Sequence, residues 1–241
     1  MRPLKGKGLR QTVGRVLLVA LAVVVMTSGD IASADDPRSA LHAAVDKTAT
    51  AKTAHLSLKQ TTKAADRSLE TRVSGTLARG DQDLVTAGDA GDSRRVAVGH
   101  DVYERRPNTN DSPWLFSSRP APTTDAAFGA LTLRDGTSLG DPRLFRSVSD
   151  LGVETLPTGE TRKLVAELDM SAVATAMQLS GSDAERLARM TGTMTIWITP
   201  SDGRIARHVL TLVLPTTTGT TTIESTIDLS DLDAPLVITR P

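Results

Sequence analysis

The sequence has 241 residues, 28 basic and 28 acidic side chains, and no cysteine. The missing cysteine excludes disulfides, thiol catalysis and thiolate metal sites. Aromatics are 2% of the chain and apolar residues 39%, so any core must be built from aliphatic side chains and Met, which can pack as densely as aromatics.

The first 34 residues hold five basic side chains (Arg2, Lys5, Lys7, Arg10, Arg15) and one acid, Asp30. Val16–Met26 is an unbroken apolar run of 11, followed by small and polar residues ending in Ala32-Ser33-Ala34. A charged start, a short apolar run and A-x-A form the pattern of a Sec-type export signal, cleaved after Ala34. The run is short for a membrane span, which needs about 20 residues; an uncleaved anchor is the alternative. No Arg-Arg pair marks a twin-arginine route. Either way the chain is expected outside the cytoplasm. Residues 35–241 then carry 23 basic and 27 acidic groups. That acidic balance argues against a nucleic-acid partner, which needs a basic footprint.

Asp36-Pro37 reads as an N-cap and a first helical residue, and Leu41, Ala44, Val45 and Thr48 give a helical stripe over 37–48. The period then changes to two. Ala54, Leu56 and Leu58 alternate with polar residues, as do Thr71, Val73, Gly75 and Leu77, which marks strands with one wet face. Shorter strands follow at 83–87, 94–98 and 102–105, the last two joined as a hairpin at Gly99-His100-Asp101. Residues 106–127, with Pro107, Pro113, Pro120 and Pro122, read as a loop. The loop carries Trp114 and Phe116, either as staples to the core or as a flap over a site.

Asp141-Pro142 repeats the helix start, with an apolar stripe at Leu144, Phe145, Val148 and Leu151 and Gly152 as terminator. A hairpin follows from Val153 to Asp169, with Leu164, Ala166 and Leu168 on one face. A helical patch covers 171–179, and Ser182-x-x-Glu185 reads as a capping box opening a helix to Met190. The end of the chain is strongly β. Met194, Ile196 and Ile198 alternate, Pro200–Gly203 turns, and a long strand covers 204–214. A polar turn leads to alternation at Ile223, Ser225, Ile227 and Leu229. Residues 235–239 read as a last short strand. Consecutive strands on short turns favour an antiparallel sheet. The fold class is α+β, a twisted sheet with a few helices on one face.

Chemistry-bearing motifs are weak. Gly136-Thr137-Ser138-Leu139-Gly140 matches G-x-S-x-G, and His208 with a later Asp could complete a hydrolase set. However, the strands before it read as antiparallel, and the helix signal begins after the motif. His42, His55, His100 and His208 show no metal-ligand spacing, and no cofactor motif is present. His208, mid-strand among apolar neighbours, reads as a satisfied structural histidine. Arg94-Arg95 and Arg105-Arg106 could attract an anionic headgroup but read as solvated pairs.

The order of elements, together with Thr195-Ile196-Trp197-Ile198, Asp202-Gly203-Arg204-Ile205 and the terminal Val237-Ile238-Thr239-Arg240-Pro241, resembles the LppX/LprG family of actinobacterial envelope lipoproteins, related in fold to the LolA carrier. The resemblance implies an open half-barrel, a curved antiparallel sheet around central helices. Between them it implies an apolar cavity for lipid or glycolipid acyl chains. It further implies transient contact with a membrane surface, an envelope transporter as partner, and no catalysis. Family lipoproteins carry a lipidated cysteine after the apolar run. Here Thr27-Ser28-Gly29 leads instead to Asp30, where no thioether can form. By pattern, the candidate cavity residues are Leu56, Leu58, Val73, Leu144, Phe145, Val148, Leu164, Leu168, Met194, Ile196 and Ile198. The same inward apolar residues would equally fill a core. Beside lipid carriage, a ligand-free envelope scaffold and a hydrolase remain open.

Overall fold

A computed structural model describes residues 36–65, 67–88, 91–106, 113–119, 140–216 and 219–241. Residues 1–35, which include the expected export signal, residues 107–112 and 120–139, and Ser138 with most of the G-x-S-x-G motif lie outside the described residues.

Helix α1 spans Pro37–Ala49. Asp36 caps it, its carboxylate accepting from the backbone N–H groups of Arg38 and Ser39, which fills donors that a helix start leaves unpaired. Six strands follow: β1 Thr53–Ala64, β2 Arg67–Ala78, β3 Asp81–Gly88, β4 Ser93–Val98, β5 Asp101–Arg105 and β6 Leu115–Ser118. After a single 3-10 turn at Pro142–Leu144 come β7 Phe145–Leu156 and β8 Gly159–Leu168. Two short helices, α2 Met170–Ala176 and α3 Gly181–Ala188, precede β9 Thr191–Ile198, β10 Ile205–Thr216 and β11 Gly219–Ser230.

All eleven strands form one antiparallel sheet in the order β6-β5-β4-β3-β2-β1-β11-β10-β9-β8-β7. Among the described residues β6 and β7 do not meet, so the curved sheet stays an open half-barrel. The first and last strands pair at its middle, with Leu58 opposite Ile227. The backbones of β2 and β3 approach closely at Gly75, where an added Cβ would lie 1.9 Å from the Asp83 carbonyl oxygen; only glycine fits there.

All three helices lie toward the β7–β10 half. Helix α1 packs on β7, β10 and the 3-10 turn, and α2 packs on that turn and on α3. The Thr48 hydroxyl accepts the Ile205 N–H at 2.8 Å. The Arg38 guanidinium donates to the carbonyls of Pro142, Phe145 and Arg146. Together these bonds tie α1 to the sheet. Among the described residues, no helix is long and apolar enough to cross a membrane.

Four sequence expectations need correction. The segment from Leu144 is one 3-10 turn followed by strand β7, not a helix. Register shifts in β7, between Phe145 and Ser147 and between Asp150 and Val153, break its alternation and mimic helical spacing. The stretch expected to be a loop contains β6, which pairs with β5. Residues 235–239 form no strand; β1 already has β2 and β11 as neighbours, so the sheet offers them no edge there. Helix α3 begins at Gly181 with Ser180 as its cap residue, and Ser180 makes no side-chain capping bond.

Candidate functional site

The strand registers define one face of the sheet, shared with the helices. Across it, Leu164, Ile196, His208, Ile227, Leu58 and Val73 lie in one row from β8 to β2. The next row runs Val148, Ala166, Met194, Leu210, Ser225 and Gln60 from β7 to β1. Period-two alternation puts these side chains on the same side of the pleat.

The face carries three apolar clusters. The first is covered by helices: Leu41, Ala44, Val45 and Ala49 of α1 and Val173 and Ala176 of α2 pack on Leu144, Phe145, Leu164, Met194, Ile196 and Ile198, with Val148 and Leu168 at its margin. Leu164 and Ile196 are 0% and 1% exposed. The second cluster consists, among the described residues, of strand residues alone: Leu56, Leu58, Leu84 and Ile227, all buried, with Val73, Leu77 and Leu229 half-buried beside them. The third joins Met170, Met190 and Leu212 with the half-buried Leu210, Leu214 and Ile223. Close packing at the first and third is plain at Gly192. A methyl group there would lie 2.8 Å from Leu168 Cδ1 and 2.9 Å from Met170 Sδ.

The eleven residues predicted to line a cavity thus divide. Leu144, Phe145, Val148, Leu164, Leu168, Met194, Ile196 and Ile198 sit in or against the helix-covered cluster. Leu56, Leu58 and Val73 sit in the strand-only cluster. Trp114 and Phe116 are brought to the far edge of the sheet. The Arg94 and Arg105 guanidiniums lie 6.0 and 5.4 Å from the Trp114 ring centroid, and Phe116, 64% exposed, leans on Tyr103 at 5.6 Å. Arg94 is also held by Asp83.

Polar residues missed by the sequence reading interrupt the face. Ser225 donates to Gln60 Oε1 at 3.3 Å, and both side chains are buried. His208 was expected to be satisfied, yet its buried Nε2 has no hydrogen-bond partner among the described residues. Burial in apolar surroundings pushes its pKa down to about 4, because the imidazolium would lose its hydration there. The signal available in the sequence was a polar residue at an inward position of an apolar alternation, as at Ser225.

The opposite face is ion-paired around a small buried apolar cluster of Leu156, Trp197 and Ala206, with Val209 beside it. Trp197 is flanked by Lys163 and Arg207 at 5.1 and 6.0 Å from its ring centroid, and these pair with Glu154 and Asp228. A hollow of about 300 Å³ lies there, lined by the apolar Leu56, Leu156, Pro157, Ala206 and Leu229 and by polar residues that include Arg207 and Asp228, at the bottom of the range for ligand clefts. Among the described residues, no group of three or more His, Asp or Glu could hold a metal. Gly140 leads into the 3-10 turn and a strand. The helix that a nucleophile elbow requires does not follow.

No family model matches the chain, and no curated protein matches it in sequence. Solved structures do. The lipoprotein LppX of Mycobacterium tuberculosis aligns over 86% of this chain and 100% of its own, at 14% identity and a TM-score of 0.53. The fold is that of LppX. LprF of Mycobacterium bovis aligns over 85% of this chain and 96% of its own, at 13% identity and a TM-score of 0.44. A LolA superfamily protein from Nitrosomonas europaea aligns over 86% and 99%, at 11% identity and a TM-score of 0.27. Those two scores add no weight. At 14% identity the LppX likeness extends to the open sheet and its helices, not to the side chains between them.

Proposed function

We propose that this protein binds the acyl chains of a lipid or glycolipid outside the cytoplasm, on the helix-bearing face of its half-barrel, without catalysing a reaction. The strand cluster of Leu56, Leu58, Leu84 and Ile227 carries the proposal: it is an apolar patch on the inner face of an LppX-type sheet, 3–9% exposed, with no helix side chain among its described members. Leu56, Leu58 and Val73 contact the acyl chains in this reading, and the eight residues under the helices form the supporting wall. Each methylene kept from water is worth about 0.8 kcal/mol. Exposing a lipid with about 30 of them would cost on the order of 25 kcal/mol, so a soluble carrier must enclose its cargo. Residues 1–34 act as the export signal. With Asp30 where family lipoproteins have cysteine, the protein reaches membranes by transient contact, loaded by an envelope transporter.

A ligand-free scaffold is the second reading, favoured by the filled packing around Gly192. Native mass spectrometry and lipid extraction of the purified protein separate the two. Co-purifying acyl species are expected. Empty protein from every preparation, including after incubation with lipid vesicles, would decide for the scaffold.

A further inference from the structure

The three apolar clusters meet at a polar spot. On β10, His208 stands opposite Ile196 of the helix-covered cluster and Ile227 of the strand-only cluster. Two residues along the same strand is Leu210 of the third cluster. Leu210 in turn stands opposite Ser225, which bonds to Gln60. So His208, Ser225 and Gln60 form one small polar island where three hydrocarbon surfaces join.

The island is incompletely satisfied. Ser225 and Gln60 use one bond on each other, while the buried Nε2 of His208 has no partner among the described residues. A buried polar atom without a partner is unfavourable, and the native fold retains one here at the centre of the apolar face. The ladder neighbours of His208 on this face, Ile196 and Ile227, bear no charge, and the imidazole is held neutral by the same burial. An anionic phosphate or carboxylate would enter unpaired, whereas a neutral oxygen would not. A hydroxyl can donate to or accept from either tautomer, and an ester carbonyl can accept from Nε2–H.

Resting on the acyl-binding reading above, we infer that the His208–Ser225–Gln60 island receives a neutral oxygen of the ligand, an ester carbonyl or hydroxyl set among the acyl chains. The preferred cargo is therefore an esterified or hydroxylated acyl lipid rather than a bare hydrocarbon. His208 supplies the free hydrogen-bonding atom. Ser225 and Gln60 supply the polar surroundings.

The test displaces a bound hydrocarbon dye, diphenylhexatriene, from the purified protein with 1,2-dioleoylglycerol and with octadecane. The wild type is expected to take up dioleoylglycerol about tenfold more tightly than His208→Leu, the scale of one hydrogen bond, while octadecane is taken up alike by both. Equal dioleoylglycerol affinity in the two proteins overturns the inference and leaves acyl binding standing. Failure of the wild type to bind either compound overturns both readings. A measurement independent of the variant's folding is the ¹⁵N resonance of His208 Nε2 in the wild type. It should shift when dioleoylglycerol binds and stay put with octadecane, and a resonance that ignores dioleoylglycerol also overturns the inference.

Discussion

The two halves of the sheet are built on the same strand chemistry and finished differently. On the β7–β10 side, α1 and α2 press Leu41, Val45 and Val173 onto Leu164 and Ile196. On the β1–β3 side, with β11, only strand residues among those described make the cluster around Leu58. A sheet face needs an apolar partner. One half gets its partner from its own helices; the other is buried with no helix side chain among its described members, and in the proposed reading the acyl chains pack there. The helix-covered half is then the structural part and the strand-only half the exchangeable one.

The largest effect should come from breaking the covered half. Leu164→Ala removes a fully buried side chain between β7 and β9 and is expected to lower stability by about 2–5 kcal/mol in denaturant titrations, with acyl binding per folded molecule unchanged. Leu58→Ala, at a side chain 3% exposed, should cost about the same 2–5 kcal/mol and in addition weaken acyl binding. Equal stability losses with unaltered binding would erase the distinction between the halves.

Next comes the seam. The pKa of His208 is about 4 in the fold and about 6.5 in an unfolded chain. Between those values the unfolded chain binds the extra proton. The stability contribution is therefore complete above about pH 6.5 and lost as pH falls toward about 4, a drop on the order of 2–3 kcal/mol. Denaturant titrations from pH 7 to 4 on the wild type and His208→Leu should show this slope only in the former. Parallel curves would mean the ring is hydrated rather than sealed in apolar surroundings.

The smallest effect concerns the helices. The Asp169 carboxylate caps α2 by accepting from the Ser171 and Ala172 N–H groups at 3.0 and 3.1 Å. Asp169→Ala should cost about 1 kcal/mol and leave affinity for acyl chains unaltered. A loss of affinity instead would show that the covered half also shapes the site.

Much of this architecture was legible in the sequence because period two is a strong signal. Ala54–Leu58, Met194–Ile198 and Ile223–Leu229 alternate cleanly, and each lies in a strand as expected. Where alternation is broken the reading failed. Strand β7 carries two register shifts, and Leu144, Phe145, Val148 and Leu151 then fall at helical intervals. Strand β6 is four exposed residues just past Pro113, too short to show a period. The site was less legible. Inward apolar residues look alike whether helices or cargo cover them, so nothing in the pattern separated Leu58 from Leu164. The unpartnered Nε2 of His208 depends on what β9 and β11 place beside it, which no local window contains.

The pairing of β1 with β11 bears on how the chain comes to be folded. Residues 53–64 find their central neighbour only in residues 219–230, near the far end of the chain, and contacts so distant in sequence form slowly. The hairpins from β1 to β6 must wait with one long edge of β1 unmet until the last strand arrives. A chain threaded through a membrane from its beginning would therefore emerge almost entirely before its sheet could be joined. During that interval, Leu56 and Leu58 would be the stretch most in need of protection by a chaperone.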